Sequence, residues 1–145
     1  MKHVHIYTDG SCHTGSGDGG WAYLLRCGAA TKEASGFAAE TTNNRMELTA
    51  AVEALKALKE GCRVTLTTDS QYLRKAFTDG WLEKWQRNGW QTAAKKPVKN
   101  KDLWIELLTL DQRHRLEWRW TKGHAGHADN ERVDTLALQA RRRGG

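Results

Sequence analysis

The length, charge and hydropathy of the chain narrow the classes of protein to which it can belong. Its 145 residues suffice for one core, so we expect a single domain over residues 1–145. The formal net charge of +6 favours an acidic partner, either nucleic acid or an anionic membrane surface, although an ordinary basic protein would show it too. No apolar run approaches the length of a membrane span, and residues 1–9 lack the apolar stretch of a signal peptide. We therefore expect a cytoplasmic monomer that does not enter membranes.

The first half of the chain predicts three strands followed by a helix. The alternating pattern of residues 4–9 predicts a strand that stops at Gly10, and the glycines after it predict a flexible loop. Residues 21–26 and 32–38 predict two more strands, which together form an antiparallel meander. Apolar residues recur at helical spacing over residues 44–59, which predicts a long helix.

The second half of the chain predicts two more strands among several helices. A strand is predicted over residues 64–68, ending at Asp69, and a helix over 71–76, capped by Ser70. A second helix is predicted over residues 81–87, and a third is capped by Asn100. A half-buried strand over residues 115–120 and a last helix follow, and the apolar residues of that helix are Val133, Leu136, Ala137 and Ala140. The order βββαβαβα predicts an α/β protein whose mixed sheet is covered by helices.

Four acidic residues stand beside apolar segments, where an isolated carboxylate would be costly to desolvate. Asp9 and Asp69 each follow a strand, so they meet if those strands are neighbours in the sheet. Glu47 lies near the buried stripe of its helix, and Asp134 lies on the last helix. Carboxylates gathered at one place repel one another unless cations hold them, and Mg²⁺ prefers such oxygen ligands. Spacing alone leaves the alternative open that these acids cap turns or face solvent.

A basic segment between residues 84 and 101 contains no acidic residue. Its cations are Lys84, Arg87, Lys95, Lys96, Lys99 and Lys101, and the tryptophans among or beside them are Trp81, Trp85, Trp90 and Trp104. Basic side chains neutralise phosphates and indole faces pack on bases or sugars, so the segment predicts a nucleic-acid surface. The alternative is a solvated basic face with its tryptophans in the core.

A glycine-broken stretch at residues 122–127 carries two histidines. His124 stands between Gly123 and Ala125, and its ordinary pKa near neutrality would let it transfer a proton. A histidine on a surface loop is the alternative. His127 could join a zinc site, but no cysteine or second acid stands at ligand spacing, so we do not expect zinc.

Six segments, in this order, resemble bacterial type 1 ribonuclease H (ribonuclease HI), and the resemblance spans nearly the whole chain. They are YTDGSC at residues 7–12, TTNNRMEL at 41–48, TDSQY at 68–72, KKPVKN at 95–100, KGHAGH at 122–127 and NERVD at 130–134. The resemblance implies a ribonuclease H-like α/β (α+β) fold, with a mixed five-stranded sheet and helices on both faces. It also implies an endoribonuclease that hydrolyses the RNA strand of RNA–DNA hybrids and leaves 5′-phosphate and 3′-hydroxyl ends.

The resemblance assigns roles to the candidate catalytic residues. It implies that two Mg²⁺ ions, with Mn²⁺ as a substitute, are held by Asp9, Glu47, Asp69 and Asp134. Two such ions can activate a water and stabilise the leaving oxygen of a phosphodiester. His124 is then the residue that assists proton transfer or product release.

The resemblance also assigns substrate contacts. It implies that ribose 2′-hydroxyls in the minor groove are read by Asn43, Asn44 and Gln71, and that a phosphate of the DNA strand is held by Thr42 and Asn100. The segment 81–101 becomes a basic protrusion that grips the hybrid through Trp81, Trp85, Lys95, Lys96 and Lys99. Because shape and 2′-hydroxyls would provide recognition, we expect little base-sequence preference.

Three features depart from the pattern of that family. Gly15 stands where the family has an asparagine that also touches the minor groove, and Glu40 stands where well-known members have a basic residue near the DNA phosphate. The sequence ends at Gly145 without the longer tail of many bacterial members, from which we expect lower stability.

Three rival functions remain at the level of sequence. A DNA-cutting nuclease of the same fold superfamily would not need Asn43, Asn44 and Gln71. An inactive hybrid-binding module would be expected to lack at least one of the four acids. A general basic RNA-binding protein would show no magnesium-dependent cleavage.

Overall fold

The computed structural model describes residues 1–121 and 128–143, and its centre is a five-stranded sheet in the order β3-β2-β1-β4-β5. The strands are β1 (His3–Cys12), β2 (Gly19–Cys27), β3 (Ala30–Ala38), β4 (Arg63–Thr68) and β5 (Arg115–Trp120). The first three form the antiparallel meander, whereas β4 pairs in parallel with both β1 and β5. The sheet is therefore mixed, and the predicted fold class is confirmed.

Five helices complete the described part of the chain. They are α1 (Asn43–Lys56), α2 (Gln71–Thr78), α3 (Trp81–Arg87), α4 (Lys101–Arg113) and α5 (Ala128–Arg143). Helix α1 packs on β1, β2 and α4, while α5 packs on β1, β2 and β3. Strand alternation assigns them to opposite faces, because Ile6 of β1 belongs to the core cluster of α1 and Tyr7 packs against that of α5. Among the described residues, no helix is long and apolar enough to cross a membrane.

The larger core cluster lies between the sheet and helices α1 and α4, and it contains the indole ring of Trp104. Trp104 is completely buried, with its ring centroid 5.3 Å from that of Tyr72 and 6.5 Å from that of Phe77. The grouping of Trp104 with a nucleic-acid surface is therefore wrong, because α4 turns this residue inward. Truncating such a buried aromatic residue to alanine typically costs about 3–5 kcal/mol.

Strand β1 continues past Gly10, where it was predicted to end, so the loop between β1 and β2 is shorter than predicted. Gly10 pairs with Trp21 and Cys12 with Gly19, so β2 begins two residues earlier than predicted. A Cβ atom on Gly10 would lie 2.3 Å from the backbone nitrogen of Glu47. Gly10 therefore permits a close approach of α1 to the strand and does not act as a stop.

Two predicted helix termini are also corrected. Helix α1 ends at Lys56, before the predicted residue 59, because its last turn tightens: Ala57 donates to both Glu53 and Ala54, and Leu58 donates to Leu55. Asn100 does precede α4, but it adopts a left-handed conformation with φ 62° and makes no side-chain cap hydrogen bond. The side-chain amide of Asn100 instead forms hydrogen bonds with Arg45 and Tyr72.

Candidate active site

The register of two parallel strands brings the first pair of acids together. Tyr7 of β1 pairs with Thr67 of β4, and extending that register by two residues puts Asp9 beside Asp69. Asp69 follows the last residue of β4, as predicted. Asp9 does not end its strand, because β1 continues to Cys12 and Asp9 pairs with Ala22. Both acids are partly buried.

Helix α1 brings Glu47 to the same edge. The contact at Gly10 lays the helix directly on β1 and leaves the Glu47 side chain partly exposed. Asn43, one turn earlier, donates from Nδ2 to Glu47 Oε1 at 2.7 Å. Asn43, which the resemblance assigns to the minor groove, therefore also orients a carboxylate, a role that sequence reasoning missed.

Asp134 comes from α5 on the opposite face of the sheet and completes the group. Its carboxyl group shares a hydrogen bond with that of Asp9, so one of the two must carry a proton. A cleft of about 450 Å³ results, lined by Asp9, Gly10, Ser11, Asn43, Asn44, Glu47, Asp69, Gln71, Tyr72 and Asp134. The cleft thus collects seven of the residues singled out in the sequence, and it adds Gly10, Ser11 and Tyr72. We call it the acidic cleft.

Burial and mutual repulsion change the acidity of this cleft. Burial raises the pKa of Asp9 to about 9, and the hydrogen bond with Asp134 and the charge of Asp69 add to the effect. Burial likewise raises the pKa of Glu47 to about 7, although hydrogen bonds from Ser70 and Asn43 oppose the rise. At neutral pH the metal-free cleft therefore retains at least one proton.

The protonated arrangement does not itself enclose a cation. Among residues 1–121 and 128–143, no three histidine, cysteine or carboxylate side chains are arranged so that they could hold a metal ion. The hydrogen bond between Asp9 and Asp134 supplies a reason, since carboxyl groups that share a proton face each other. The donor chemistry nevertheless fits a hard divalent cation, which prefers oxygen ligands and would replace the retained proton.

A second cavity, of about 310 Å³, lies beside the acidic cleft. Its lining residues are Tyr72, Trp81, Trp85, Thr92, Lys96, Pro97, Val98 and Lys99. The rings of Trp81 and Trp85 are 5.9 Å apart and both are half-buried, so indole edges remain accessible. Lys95 is exposed in the adjoining turn with φ 61°. We call this cavity, together with residues 81–99, the basic aromatic surface; Tyr72 lines both this surface and the acidic cleft.

The remaining predicted residues have different placements. Thr42 is exposed, and its Oγ1 accepts a hydrogen bond from the backbone of Arg45 at 3.1 Å, which caps α1. Asn100 lies between Arg45 and Tyr72, with its amide bonded to both. His124 lies outside the described residues, so its predicted role stays a prediction.

Cavity size alone would not have identified the site. A larger cavity, of about 510 Å³, is lined mainly by apolar residues such as Val4, Leu25 and Leu58, with Cys27 and Cys62 among its lining residues. It contains none of the predicted site residues. The distinguishing feature of the smaller acidic cleft is its convergent carboxyl and amide groups, which are suited to polar chemistry.

Comparisons with known proteins show the family to which the chain belongs. The RNase H family model matches residues 1–142. Ribonuclease H of Hydrogenovibrio crunogenus is 58% identical, over 97% of this chain and 96% of its own length. Ribonuclease HI of Neisseria meningitidis is 57% identical, over 92% of each chain. The crystal structure of LC9-RNase H1, described as a type 1 RNase H with the type 2 active-site motif, superposes with a TM-score of 0.86 at 34% identity and covers 100% of this chain and 74% of that one. The chain belongs to the ribonuclease H family.

Proposed function

We propose that this chain is a metal-dependent endoribonuclease that hydrolyses the RNA strand of RNA–DNA hybrids. Family membership supports the reaction class, since relatives named ribonuclease H match nearly the full length. The observation that carries the proposal is the convergence of Asp9, Glu47, Asp69 and Asp134 in one cleft, next to amide side chains. That combination joins a set of metal ligands to groups that can bind a ribose.

The four acids would hold two Mg²⁺ ions, for which Mn²⁺ can substitute, and two bound ions supply an activated water and stabilise the leaving oxygen. Asp9 must first lose the proton that it shares with Asp134. The Glu47 carboxylate is oriented by hydrogen bonds from the amide of Asn43 and the hydroxyl of Ser70. His124 takes the proton-transfer or product-release role. The products carry 5′-phosphate and 3′-hydroxyl ends.

Substrate recognition would divide between the two cavities. In the acidic cleft, ribose 2′-hydroxyls are read by Asn43, Asn44 and Gln71. On the basic aromatic surface, the hybrid is gripped by Trp81, Trp85, Lys95, Lys96 and Lys99. A DNA phosphate is held by Thr42 and Asn100, which line neither cavity. None of these contacts reads a base edge, so cleavage should have little sequence preference. We further propose that residues 1–145 act as one domain, as a monomer in the cytoplasm.

A substrate panel tests the proposal. The chain is incubated with labelled RNA–DNA hybrid, double-stranded RNA and double-stranded DNA, each with Mg²⁺ or EDTA. Cleavage of only the hybrid RNA, abolished by EDTA, is expected, and the fragments should be substrates for a 5′-phosphate-dependent ligase. Equal cleavage of double-stranded DNA would favour a DNA nuclease of the same superfamily. Binding without any cleavage would favour an inactive hybrid-binding module.

A further inference from the structure

The side-chain amide of Asn100 is held in one orientation. Arg45 Nη1 lies 3.2 Å from Asn100 Oδ1, and a guanidinium group only donates hydrogen bonds, so the oxygen must face Arg45. The nitrogen then faces Tyr72 and donates to its hydroxyl oxygen at 3.2 Å. One N–H of Asn100 is thereby used, and the other remains available for a ligand.

The hydroxyl of Tyr72 is oriented by the same logic. Its oxygen also accepts from Nε1 of the buried Trp104 at 2.9 Å. A phenol has two acceptor sites and one proton, so these two donors fill both acceptor sites. Within the part of the chain that the structure describes, the O–H of Tyr72 has no acceptor. Because this hydroxyl lines two cavities, its O–H is available to donate a hydrogen bond to a bound anion.

Tyr72 also stands at the junction of the acidic cleft and the basic aromatic surface, since it lines both. A hybrid that spans the two cavities must pass this residue. We propose that the Tyr72 hydroxyl donates a hydrogen bond to a DNA-strand phosphate beside Asn100, and that Arg45 is a positioning residue that holds the Asn100 amide in its binding orientation. The inference rests on the proposed function, because it requires a bound hybrid.

Arg45 is itself held firmly enough to position a neighbour. Its guanidinium group forms a bidentate ion pair with Asp102, with distances of 2.7 and 3.1 Å. Its backbone N–H donates to Thr42 Oγ1, the N-cap of α1. A lysine would keep the charge but lose the planar fork that contacts Asp102 and Asn100 together. Arg45 therefore acts on substrate through Asn100.

The decisive experiment is a double-mutant cycle between Tyr72→Phe and single methylphosphonate groups placed along the DNA strand. Hybrid affinity is measured in EDTA, and KM and kcat are measured with Mg²⁺. Tyr72→Phe should weaken binding by about tenfold, the usual worth of a hydrogen bond to a charged group, and should raise KM while leaving kcat nearly unchanged. At one phosphate position, the neutral group should weaken binding by the wild-type chain clearly more than binding by Tyr72→Phe, which keeps only the contacts of Thr42 and Asn100.

Tyr7→Phe is the matched control, because Tyr7 is a half-buried tyrosine that packs with the α5 cluster. It should leave hybrid affinity unchanged. Additive penalties at every phosphate would overturn the assignment of Tyr72. A general loss of stability in the variant would weaken binding at all positions alike, so it would not imitate coupling at one phosphate. A wild-type chain that binds no hybrid would overturn the proposed function and this inference together.

The positioning role has a test of its own. Arg45→Lys should weaken hybrid binding several-fold in the wild-type background, with kcat unchanged. In an Asn100→Ala background the same substitution should have almost no effect, because the amide that Arg45 holds is gone. An equal loss in both backgrounds would mean that Arg45 binds substrate or stabilises the fold independently of Asn100.

Discussion

The acidic cleft and the basic aromatic surface are neighbours that share Tyr72, yet they are assembled differently. The cleft takes its acids from β1, α1, the end of β4 and α5, which are far apart in the chain. Apart from Tyr72, the basic aromatic surface comes from one continuous stretch, residues 81–99, that includes α3 and the turn after it. Long-range packing therefore builds the chemical centre, whereas local sequence builds the surface that would grip substrate.

The two regions also differ in how they carry charge. Acids in the cleft are partly buried and repel one another, so Asp9 and Glu47 have raised pKa values. Cations on the surface are exposed to water, which screens them from one another. A bound cation would relieve the repulsion in the cleft, whereas an anionic partner would neutralise the surface.

The largest expected effect is a loss of cleavage when one cleft acid is neutralised. Asp69→Asn should lower kcat/KM by far more than tenfold, a barrier change above about 1.4 kcal/mol, because a proposed metal ligand is lost. Hybrid affinity in EDTA should stay within about twofold, since the basic aromatic surface is intact. Asp79→Asn, an exposed acid outside the cleft, is the control and should behave as wild type. A variant that keeps a tenth of the activity would contradict the metal assignment.

A smaller loss is expected for His124→Ala. Removing a group that assists proton transfer or product release should lower kcat by roughly 10 to 10³-fold, with KM and the metal requirement nearly unchanged. His13→Ala, on the exposed loop after β1, serves as the control. If calorimetry instead shows that His124→Ala no longer binds Mg²⁺, the histidine is a ligand or a structural group.

Changes on the basic aromatic surface should affect binding rather than turnover. Replacing Lys95, Lys96 and Lys99 by glutamine should weaken hybrid binding and flatten its salt dependence. Each lost phosphate contact lowers the slope of log K against log salt by roughly 0.7 to 0.9. The kcat at saturating hybrid should not change. Glutamines at Lys32 and Lys59, which line the distant apolar cavity, are the control, and an equal flattening there would mean that the charge acts nonspecifically.

The smallest expected effect concerns stability and pH. The pKa of Asp9 is raised from 3.8 to about 9, so its contribution to stability is fully present below about pH 4 and is lost as the pH rises towards 9. In EDTA, Asp9→Asn should therefore melt at least several degrees above wild type at pH 8, and the gap should narrow at pH 5. Melting curves by circular dichroism measure this. A gap that is constant with pH would show that Asp9 titrates normally.

Local patterns in the sequence predicted most of the secondary structure. The strand predicted from the alternation at residues 115–120 and the helix predicted over residues 81–87 correspond to β5 and α3. Ser70 was predicted as a cap, and its hydroxyl does accept from the backbone of Leu73. These features depend on neighbours within a few residues, which is why periodicity and capping preferences were sufficient.

Predictions were wrong where distant elements meet. Glycine is common in turns, but Gly10 lies within β1, where the absence of a Cβ atom lets the backbone of α1 approach the strand. Trp104 stands among basic residues in the sequence, yet α4 buries it. Asn100 looks like a helix cap, but Arg45 and Tyr72 take both ends of its amide. In each case a residue with a plausible local role is used by a contact more than 25 positions away.

The sequence by itself determined the types of residue that the site contains, the periodicity of its strands and helices and, through six motifs, the family resemblance. Only the tertiary structure decided that Asp9 and Asp69 share a register, that α1 and α5 deliver Glu47 and Asp134 from opposite faces, and that Tyr72 joins the two cavities. The physical reason is that pKa values and hydrogen-bond partners depend on distance in space, which strand pairing and helix packing set. The spacing of residues along the chain does not specify those distances in space.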